Sequence, residues 1–247
     1  MNVIMKIDLK NYLNERDSVN QSSAIDAGPV VTFSREYGCE ANRIVRMLIL
    51  QINKLQNVVL KHRQWSIVNK EILEESAHDL NLKADDLEQR VLNYSSDAMN
   101  GLFKSFTQHY AVSDKMILEK VRDIIQNYAR KGNVIIVGRG GAALTQEIRK
   151  AIHVRLYAPL EWRAKAVAEK RGISIKEAID ICKHFDEKRS QWTEHLVGSK
   201  MNETIFHIKI NMAMWGDKEV VRFIMDMMYQ KHLIYPDLIH QQNAVSV

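Results

Sequence analysis

The sequence predicts an α/β protein in which helices cover both faces of a five-stranded parallel β-sheet. Five short apolar runs, of the kind found in buried parallel strands, recur along the chain. Segments with apolar residues at helical spacing separate these runs. Because strands that alternate with helices are joined by right-handed crossovers, the strands pair in parallel and form one sheet. We expect ligands to bind beyond the carboxyl ends of the strands.

In the first half of the chain, two apolar runs alternate with helical segments. Residues 29–34 predict a strand, and after a polar turn residues 42–56 carry apolar side chains at helical spacing. A second apolar run at 57–61 precedes helical segments at 69–82 and 84–110. Since residues 84–110 contain no strand signal, we expect a helical insertion there.

The second half of the chain continues the alternation. Asp114 is suited to capping the start of a helix, and Gly132 stops that helix. Pro159 falls in the first turn of another helix. The elements predicted here, in order, are a helix at 114–132, a strand at 133–138, a loop at 138–146, a strand at 153–158, helices at 159–172 and 174–199, a strand at 206–212 and a helix at 215–233.

Length and composition favour one compact domain. With 247 residues, of which 46% are hydrophobic, the chain is long enough to bury a full core. Residues 1–28 predict an N-terminal extension rich in polar and turn-forming residues, residues 29–235 the domain, and residues 236–247 a C-terminal tail. No apolar run has the length of a membrane span or the pattern of a signal peptide, so we expect a cytoplasmic protein.

Charge and cysteine content narrow the classes of function. The formal net charge of +5 and the isoelectric point near 9.1 suit a protein that binds anions. A phosphorylated small molecule fits this balance, and the lack of a basic run in the sequence argues against a nucleic-acid partner. The two cysteines, Cys39 and Cys182, form no CxxC pair, and no histidines have metal-binding spacing. We therefore expect a reducing compartment and no protein-held metal site.

Six short motifs in a fixed order carry a resemblance to a known family. Ser34–Gly38 reads SREYG and lies between the first strand and the first helix. The other motifs are NKEIL at 69–73, VGRGG at 137–141, HVRLYAPLEWR at 153–163, DEKR at 186–189 and IN at 210–211. On these residues the chain resembles the cytidylate kinase-like family. The resemblance implies the P-loop NTPase-like three-layer sandwich of nucleoside-monophosphate kinases, with a helical lid at about 163–195.

The resemblance also implies that the loop before the first helix binds triphosphate through backbone N–H groups and the helix N-terminus. Glu40 and Ala41 stand where related proteins carry glycines, and the P-loop lysine has no counterpart. A carboxylate facing phosphates costs Coulomb energy unless it points away or holds a cation. The loop therefore either binds phosphate, with Arg35 or Arg43 supplying positive charge, or only makes a tight turn at Gly38. The residues assigned to the triphosphate are Gly38, Cys39, Glu40, Ala41, Asn42 and Arg43.

A second group of residues is expected to bind the phosphorylated acceptor. Arg139 directly follows a buried strand, where the family pattern has an arginine that contacts the monophosphate, and arginine binds phosphate well. A surface cation in a glycine turn is the alternative interpretation. Gly140 replaces the acidic residue that follows this arginine in cytidylate kinases, which leaves the base preference open. The residues assigned to the acceptor are Ser34, Arg35, Arg139 and Arg171.

Two successive helices joined at Gly172 resemble the lid of these kinases. Their residues Arg163, Asp186 and Arg189 are assigned to catalysis, because lid arginines neutralise charge on the transferred phosphoryl group. A solvated, charge-rich helix pair is the alternative. Elsewhere, Asn69 and His207 replace acidic residues of the family pattern, which is compatible with a drift away from metal-dependent chemistry.

Two functions are compatible with these residues. The first is transfer of the γ-phosphoryl group of ATP or another nucleoside triphosphate, with Mg²⁺, to a nucleoside monophosphate or similar small acceptor. The second is a catalytically impaired regulatory protein of the same fold that binds nucleotide or phosphate. The methionines at 225–228 lie on an apolar helix face and indicate either core filling or a subunit contact in a homo-oligomer.

Overall fold

A computed structural model describes residues 27–57, 64–81, 83 and 114–234. In these residues five strands form one parallel sheet in the order β2-β3-β1-β4-β5. The strands are β1 (Val30–Arg35), β2 (Ser66–Val68), β3 (Val134–Val137), β4 (Ala151–Tyr157) and β5 (Ile208–Asn211). The helices are α1 (Ala41–Asn57), α2 (Glu71–Asp79), α3 (Asp114–Lys131), α4 (Gly141–Leu144), α5 (Leu160–Arg171), α6 (Ile175–Val197) and α7 (Asp217–Gln230).

Helices cover both faces of the sheet and close two apolar cores. Because alternate residues of a strand point to opposite faces, Val31 and Phe33 of β1 pack on one face with residues of α1 and α7. Val30 belongs to the other core, which contains much of α3 together with Trp192 and Leu196 of α6. The α/β fold with a five-stranded parallel sheet between helical layers is therefore confirmed.

Helices α5 and α6, which include the residues of the predicted lid at about 163–195, form a hairpin that is called here the lid hairpin. Gly172 ends α5 with a φ of 66°, a left-handed conformation that glycine adopts without strain. Ser174 then starts α6 through a capping box with Glu177. A third apolar cluster holds the two helices together, and its buried members are Ala164, Val167, Ala168, Ala178 and Cys182.

The second strand does not coincide with the second apolar run. The strand is Ser66–Val68, whereas in the run at 57–61 Asn57 ends α1 and the other residues lie outside the described part of the chain. Trp65 anchors the start of the strand, because its backbone N–H and C=O both bond to the side chain of Asn53. A tertiary contact, rather than a longer apolar run, therefore determines where this edge strand begins.

Two further predictions concern segments between the main elements. The predicted loop at 138–146 contains the short helix α4. The predicted insertion at 84–110 lies outside the described residues, as do residues 1–26 and 235–247. None of the helices in the described part of the chain combines the length and the apolar character that crossing a membrane requires.

Candidate functional site

A cavity of about 570 Å³ opens beyond the carboxyl ends of β1, β2 and β3. Ser34 and Arg35 at the end of β1, Asn69 after β2 and residues 138–140 after β3 form part of its wall. Residues of α6, among them Arg189, form another part. The cavity therefore lies at the edge of the sheet where parallel α/β folds bind their ligands.

Four of the described arginines line this cavity, called here the arginine cavity, and three of them interact with one another: Arg35 of β1, Arg139 after β3 and Arg189 of α6. Burial, followed by repulsion from Arg189 and Arg139, lowers the pKa of Arg35 to about 9. Burial also lowers the pKa of Arg189. No carboxylate of the described residues pairs with the Arg35 guanidinium. Because clustered cations repel each other, a bound anion would lower their free energy.

The turn after β3 shapes this cluster of cations. Gly138, Arg139 and Gly140 are all left-handed, with φ values of 74°, 56° and 75°. Arg139 is strained in this conformation, and strain of this kind occurs most often at functional sites. The Arg35 guanidinium lies against Gly138, in the space that a Cβ atom would fill. Gly138 thus makes room for Arg35.

Residues 36–40, called here the phosphate loop after the role that the family resemblance predicts for this segment, form a tight turn between β1 and α1. The Cys39 N–H donates to the Glu36 carbonyl, and Gly38 has a φ of 93°. Cys39 is buried, and burial raises the pKa of its thiol to about 12. Gly38 lies against Arg163 of α5. The residues assigned to the triphosphate, Gly38, Cys39, Glu40, Ala41, Asn42 and Arg43, are all described, and they do not line the arginine cavity.

Other protein residues bind the charged side chains at this loop. The Glu40 Oε1 lies 2.5 Å from the Nζ of Lys170 on α5, and this hydrogen bond lowers the pKa of Glu40. Arg43 forms an ion pair with Asp217 at the start of α7. The Glu40 carboxylate thus holds a cation, which is one of the conditions that make it compatible with nearby phosphate. Ala41 and Asn42 begin α1, the first buried and the second exposed.

Arg163 and Asp186, two of the residues assigned to catalysis, bind the phosphate loop itself. Arg163 is buried, and its Nη1 donates to the Tyr37 carbonyl at 2.9 Å and to Asp186 Oδ2 at 2.6 Å. Its Nε lies 3.0 Å from the Ala158 carbonyl and 3.2 Å from Glu36 Oε2. Asp186 Oδ1 accepts the Tyr37 N–H at 2.6 Å. The two side chains therefore join both helices of the lid hairpin to the loop.

A sequence model of the cytidylate kinase-like family matches residues 30–213. The chain belongs to the cytidylate kinase-like family. A cytidylate kinase of Ignicoccus hospitalis is 33% identical over 118 residues, which are 47% of this chain and 62% of that protein. A uronate isomerase of Corynebacterium glutamicum is 23% identical over 130 residues, 52% of this chain and 25% of that protein. The chain thus spans less than two thirds of the length of either relative.

Among solved structures, the chain resembles an uncharacterized protein from Eubacterium ventriosum. The TM-score is 0.56 at 19% identity, and the match covers 81% of this chain and 97% of the other. At this identity the similarity concerns the fold. The family match includes the four arginines that line the cavity, the phosphate loop and the lid hairpin, whereas α7 lies outside it.

Tyr37 also contributes to this site, although no sequence motif assigned a role to its side chain. Its ring stacks on Phe185, with centroids 4.7 Å apart and planes at 11°. The guanidinium of Arg189 lies 5.3 Å from the ring centroid and that of Arg171 lies 5.7 Å from it. Arg171 also donates to the Tyr37 hydroxyl at 2.5 Å. Tyr37 lines the arginine cavity, whereas Arg171 does not. Arg171 and Tyr37 are 134 positions apart, so no local sequence pattern reveals their contact. The sequence signal for Tyr37 is that an aromatic residue lies inside an arginine-containing motif.

Proposed function

We propose that this member of the cytidylate kinase-like family moves the γ-phosphoryl group of ATP or another nucleoside triphosphate to a nucleoside monophosphate or similar small acceptor. The observation that carries the proposal is the convergence of Arg35, Arg139 and Arg189 on one cavity. Arginine binds phosphate oxygens through paired N–H donors. A phosphomonoester dianion would offset the repulsion among the three cations, so the cavity suits the phosphate of the acceptor.

In this proposal the acceptor phosphate binds to Arg35 and Arg139 with a further contact from Arg189, and Ser34 contributes its hydroxyl from the end of β1. Arg171 is assigned to the lid hairpin instead, because it does not line the cavity and its guanidinium donates to the Tyr37 hydroxyl. The cavity extends past these cations to Arg155 and Glu203, so it has room for the remainder of the acceptor.

The triphosphate is placed at the phosphate loop and the first residues of α1, where backbone N–H groups and the helix N-terminus favour negative charge. Lys170 lies beside this loop, where it forms an ion pair with Glu40. No group of three or more His, Cys, Asp or Glu side chains in the described residues could hold a metal ion. Mg²⁺ would therefore bind chiefly to phosphate oxygens of the triphosphate, the ligands it usually takes.

Catalysis in this account consists of positioning and charge neutralisation. Arg189 lines the acceptor cavity and donates through Nη1 to the Arg35 carbonyl at 3.2 Å, while its guanidinium lies over Tyr37 of the phosphate loop. It therefore lies between the two proposed phosphate positions, where it would neutralise charge on the transferred group. Arg163 and Asp186 hold the loop and the lid hairpin together, which fixes the position of Arg189 on α6 relative to the loop.

The proposal is tested by product analysis. The purified protein is incubated with ATP, Mg²⁺ and one of CMP, UMP, AMP or GMP, and the nucleotides are separated by ion-exchange chromatography. With CMP, UMP or GMP as the acceptor we expect ADP and the matching nucleoside diphosphate in equal amounts, and with AMP we expect two ADP for each ATP consumed. Turnover should fall by about 10³-fold or more in Arg189→Gln. Binding of a monophosphate without any diphosphate would contradict transfer and indicate the regulatory alternative.

A further inference from the structure

We propose that Tyr37 is a positioning residue that fastens the lid hairpin to the phosphate loop and orients Arg189 toward the arginine cavity. The inference rests on the proposed function only for the identity of the cavity ligand. In this account Tyr37 acts through Arg189 and touches no reacting atom.

Both backbone polar groups of Tyr37 are bonded to the lid hairpin. Its N–H donates to Asp186 Oδ1 at 2.6 Å, and its carbonyl accepts from Arg163 Nη1 at 2.9 Å. Since Arg163 Nη1 also donates to Asp186 Oδ2 at 2.6 Å, three charge-assisted bonds close a ring through the loop, α5 and α6. These bonds do not depend on the side chain at position 37, so a substitution there isolates the contribution of the ring.

The ring of Tyr37 makes a second set of contacts, which reach Arg189. Phe185 stacks on it, and the Arg189 guanidinium lies 5.3 Å from its centroid, within the range of a cation–π interaction. The same guanidinium donates to the Arg35 carbonyl at 3.2 Å. Arg189 is thus held from two sides, which restricts a side chain that otherwise has many rotamers.

The hydroxyl of Tyr37 makes a separate contact with the end of α5. Arg171, the last residue of that helix, donates to the hydroxyl at 2.5 Å. Tyr37→Phe removes this bond and keeps the stacked ring, whereas Tyr37→Leu removes both. Tyr37→Phe therefore tests the Arg171 hydrogen bond alone, and the additional effect of Tyr37→Leu reports the ring, which contacts both Arg189 and Arg171.

The first test measures the affinity of CMP and AMP for the full chain by isothermal titration calorimetry. We expect Tyr37→Leu to weaken binding by about 5- to 10-fold and Tyr37→Phe to change it little, because the cation–π contact persists in the phenylalanine variant. In an Arg189→Gln background, Tyr37→Leu should add no further loss, since the two residues act as one unit. Tyr157→Leu is the matched control, because Tyr157 is an exposed tyrosine at the end of β4.

The second test uses amide hydrogen exchange and needs no ligand. In Tyr37→Leu, exchange should rise in the phosphate loop and in residues 183–190 of α6, and it should stay at the wild-type level in Tyr157→Leu. Unchanged exchange in α6, or equal losses of affinity with and without Arg189, would overturn the positioning role. If wild-type protein bound neither nucleotide, the proposed acceptor would be wrong, and hydrogen exchange alone would decide the role of Tyr37.

A milder pair of variants covers the case in which Tyr37→Leu does not fold. Tyr37→Phe and Arg171→Gln each remove the same hydrogen bond. Their effects on hydrogen exchange at the end of α5 should therefore be non-additive in the double variant. Additive effects would show that Tyr37 and α5 are not coupled.

Discussion

Glu40 and Lys170 form an ion pair between the phosphate loop and α5, with Oε1 and Nζ 2.5 Å apart. Both side chains are exposed, at 46% for Glu40 and 73% for Lys170, so the pair contributes little to folding stability. The pair instead determines how much positive charge from Lys170 is available at the phosphate loop. Lys170 is held there by a carboxylate, and a triphosphate arriving at the loop would compete with that carboxylate for Lys170.

Glu40→Gln is therefore expected to strengthen ATP binding, because it frees Lys170 and removes a negative charge beside the phosphates. We expect a gain of about 3- to 10-fold at low ionic strength that shrinks as salt screens the charges. Titration calorimetry at two salt concentrations measures the change. Glu169→Gln, on an exposed residue of α5 next to Lys170, is the control, and an equal gain in this variant would refute the specific role of Glu40.

Gly138→Ala should damage the arginine cavity, because the added Cβ takes the space of the Arg35 guanidinium. The φ of 74° at Gly138 adds strain, so the control is Gly172→Ala, where φ is 66° and an added Cβ meets nothing within 4 Å. Both variants should lose about 1 kcal/mol of stability from strain, but only Gly138→Ala should weaken nucleoside-monophosphate binding, by about 10-fold. Equal affinities in the two variants, measured by calorimetry, would argue against Arg35 as a phosphate ligand.

Arg163→Ala should destabilise the fold, because it leaves the carboxylates of Glu36 and Asp186 without their shared cation. Arg163 is buried, and removing one partner of a buried pair costs about 3 kcal/mol or more. Urea unfolding of Arg163→Ala and of Arg171→Ala gives the comparison. Arg171 is exposed and should cost about 1 kcal/mol or less. Similar losses in the two variants would mean that Arg163 does not hold the loop.

Folding stability should fall in acid because of His153. This buried histidine bonds through Nδ1 to the Thr32 hydroxyl at 2.8 Å and lies beside the ring of His207. Burial, followed by the charges of His207 and Lys231, lowers the pKa of His153 to about 4. Its pKa in the unfolded chain is about 6.5, so between these values the unfolded chain binds the extra proton. The stabilisation is complete above about pH 6.5 and is lost as the pH falls toward 4, by on the order of 2–3 kcal/mol.

Urea unfolding from about pH 7.5 to 4.5 measures this loss. His153→Gln should flatten the dependence, because it removes the titrating ring and keeps a polar partner for Thr32. His232→Asn is the control, since His232 is exposed and asparagine tolerates its left-handed φ of 53°. A variant at His153 with the slope of wild-type protein would show that another group causes the loss.

The elements that the sequence predicts well are those with a strong local pattern. Residues 133–138 and 153–158 are apolar runs, which are typical of strands whose side chains are buried on both faces of a sheet. β3 lies within the first run, and β4 overlaps most of the second. β2 is only three residues long, and its start depends on the bond between Trp65 and Asn53, which no local pattern reveals.

Some residues of the candidate site can likewise be placed from the sequence, and others cannot. Arg35 and Arg139 directly end or follow strands, so their place at the carboxyl edge of the sheet follows from topology. The partners of the loop do not, because they come from distant segments: Lys170 binds Glu40 across 130 positions and Asp217 binds Arg43 across 174. The catalytic assignments, the cytoplasmic location and self-association stay predictions.

Titration of CMP, UMP, AMP and GMP into four proteins decides whether Arg35, Arg139 and Arg189 bind the phosphate of a nucleoside monophosphate. The four proteins are wild type, Arg35→Gln, Arg189→Gln and, as control, Arg43→Gln, whose side chain is paired with Asp217 outside the cavity. We predict that at least one monophosphate binds to wild type and to Arg43→Gln alike. Its affinity should fall by about 10-fold or more in each of the two cavity variants. Binding that survives both cavity substitutions unchanged would show that these arginines do not bind the phosphate.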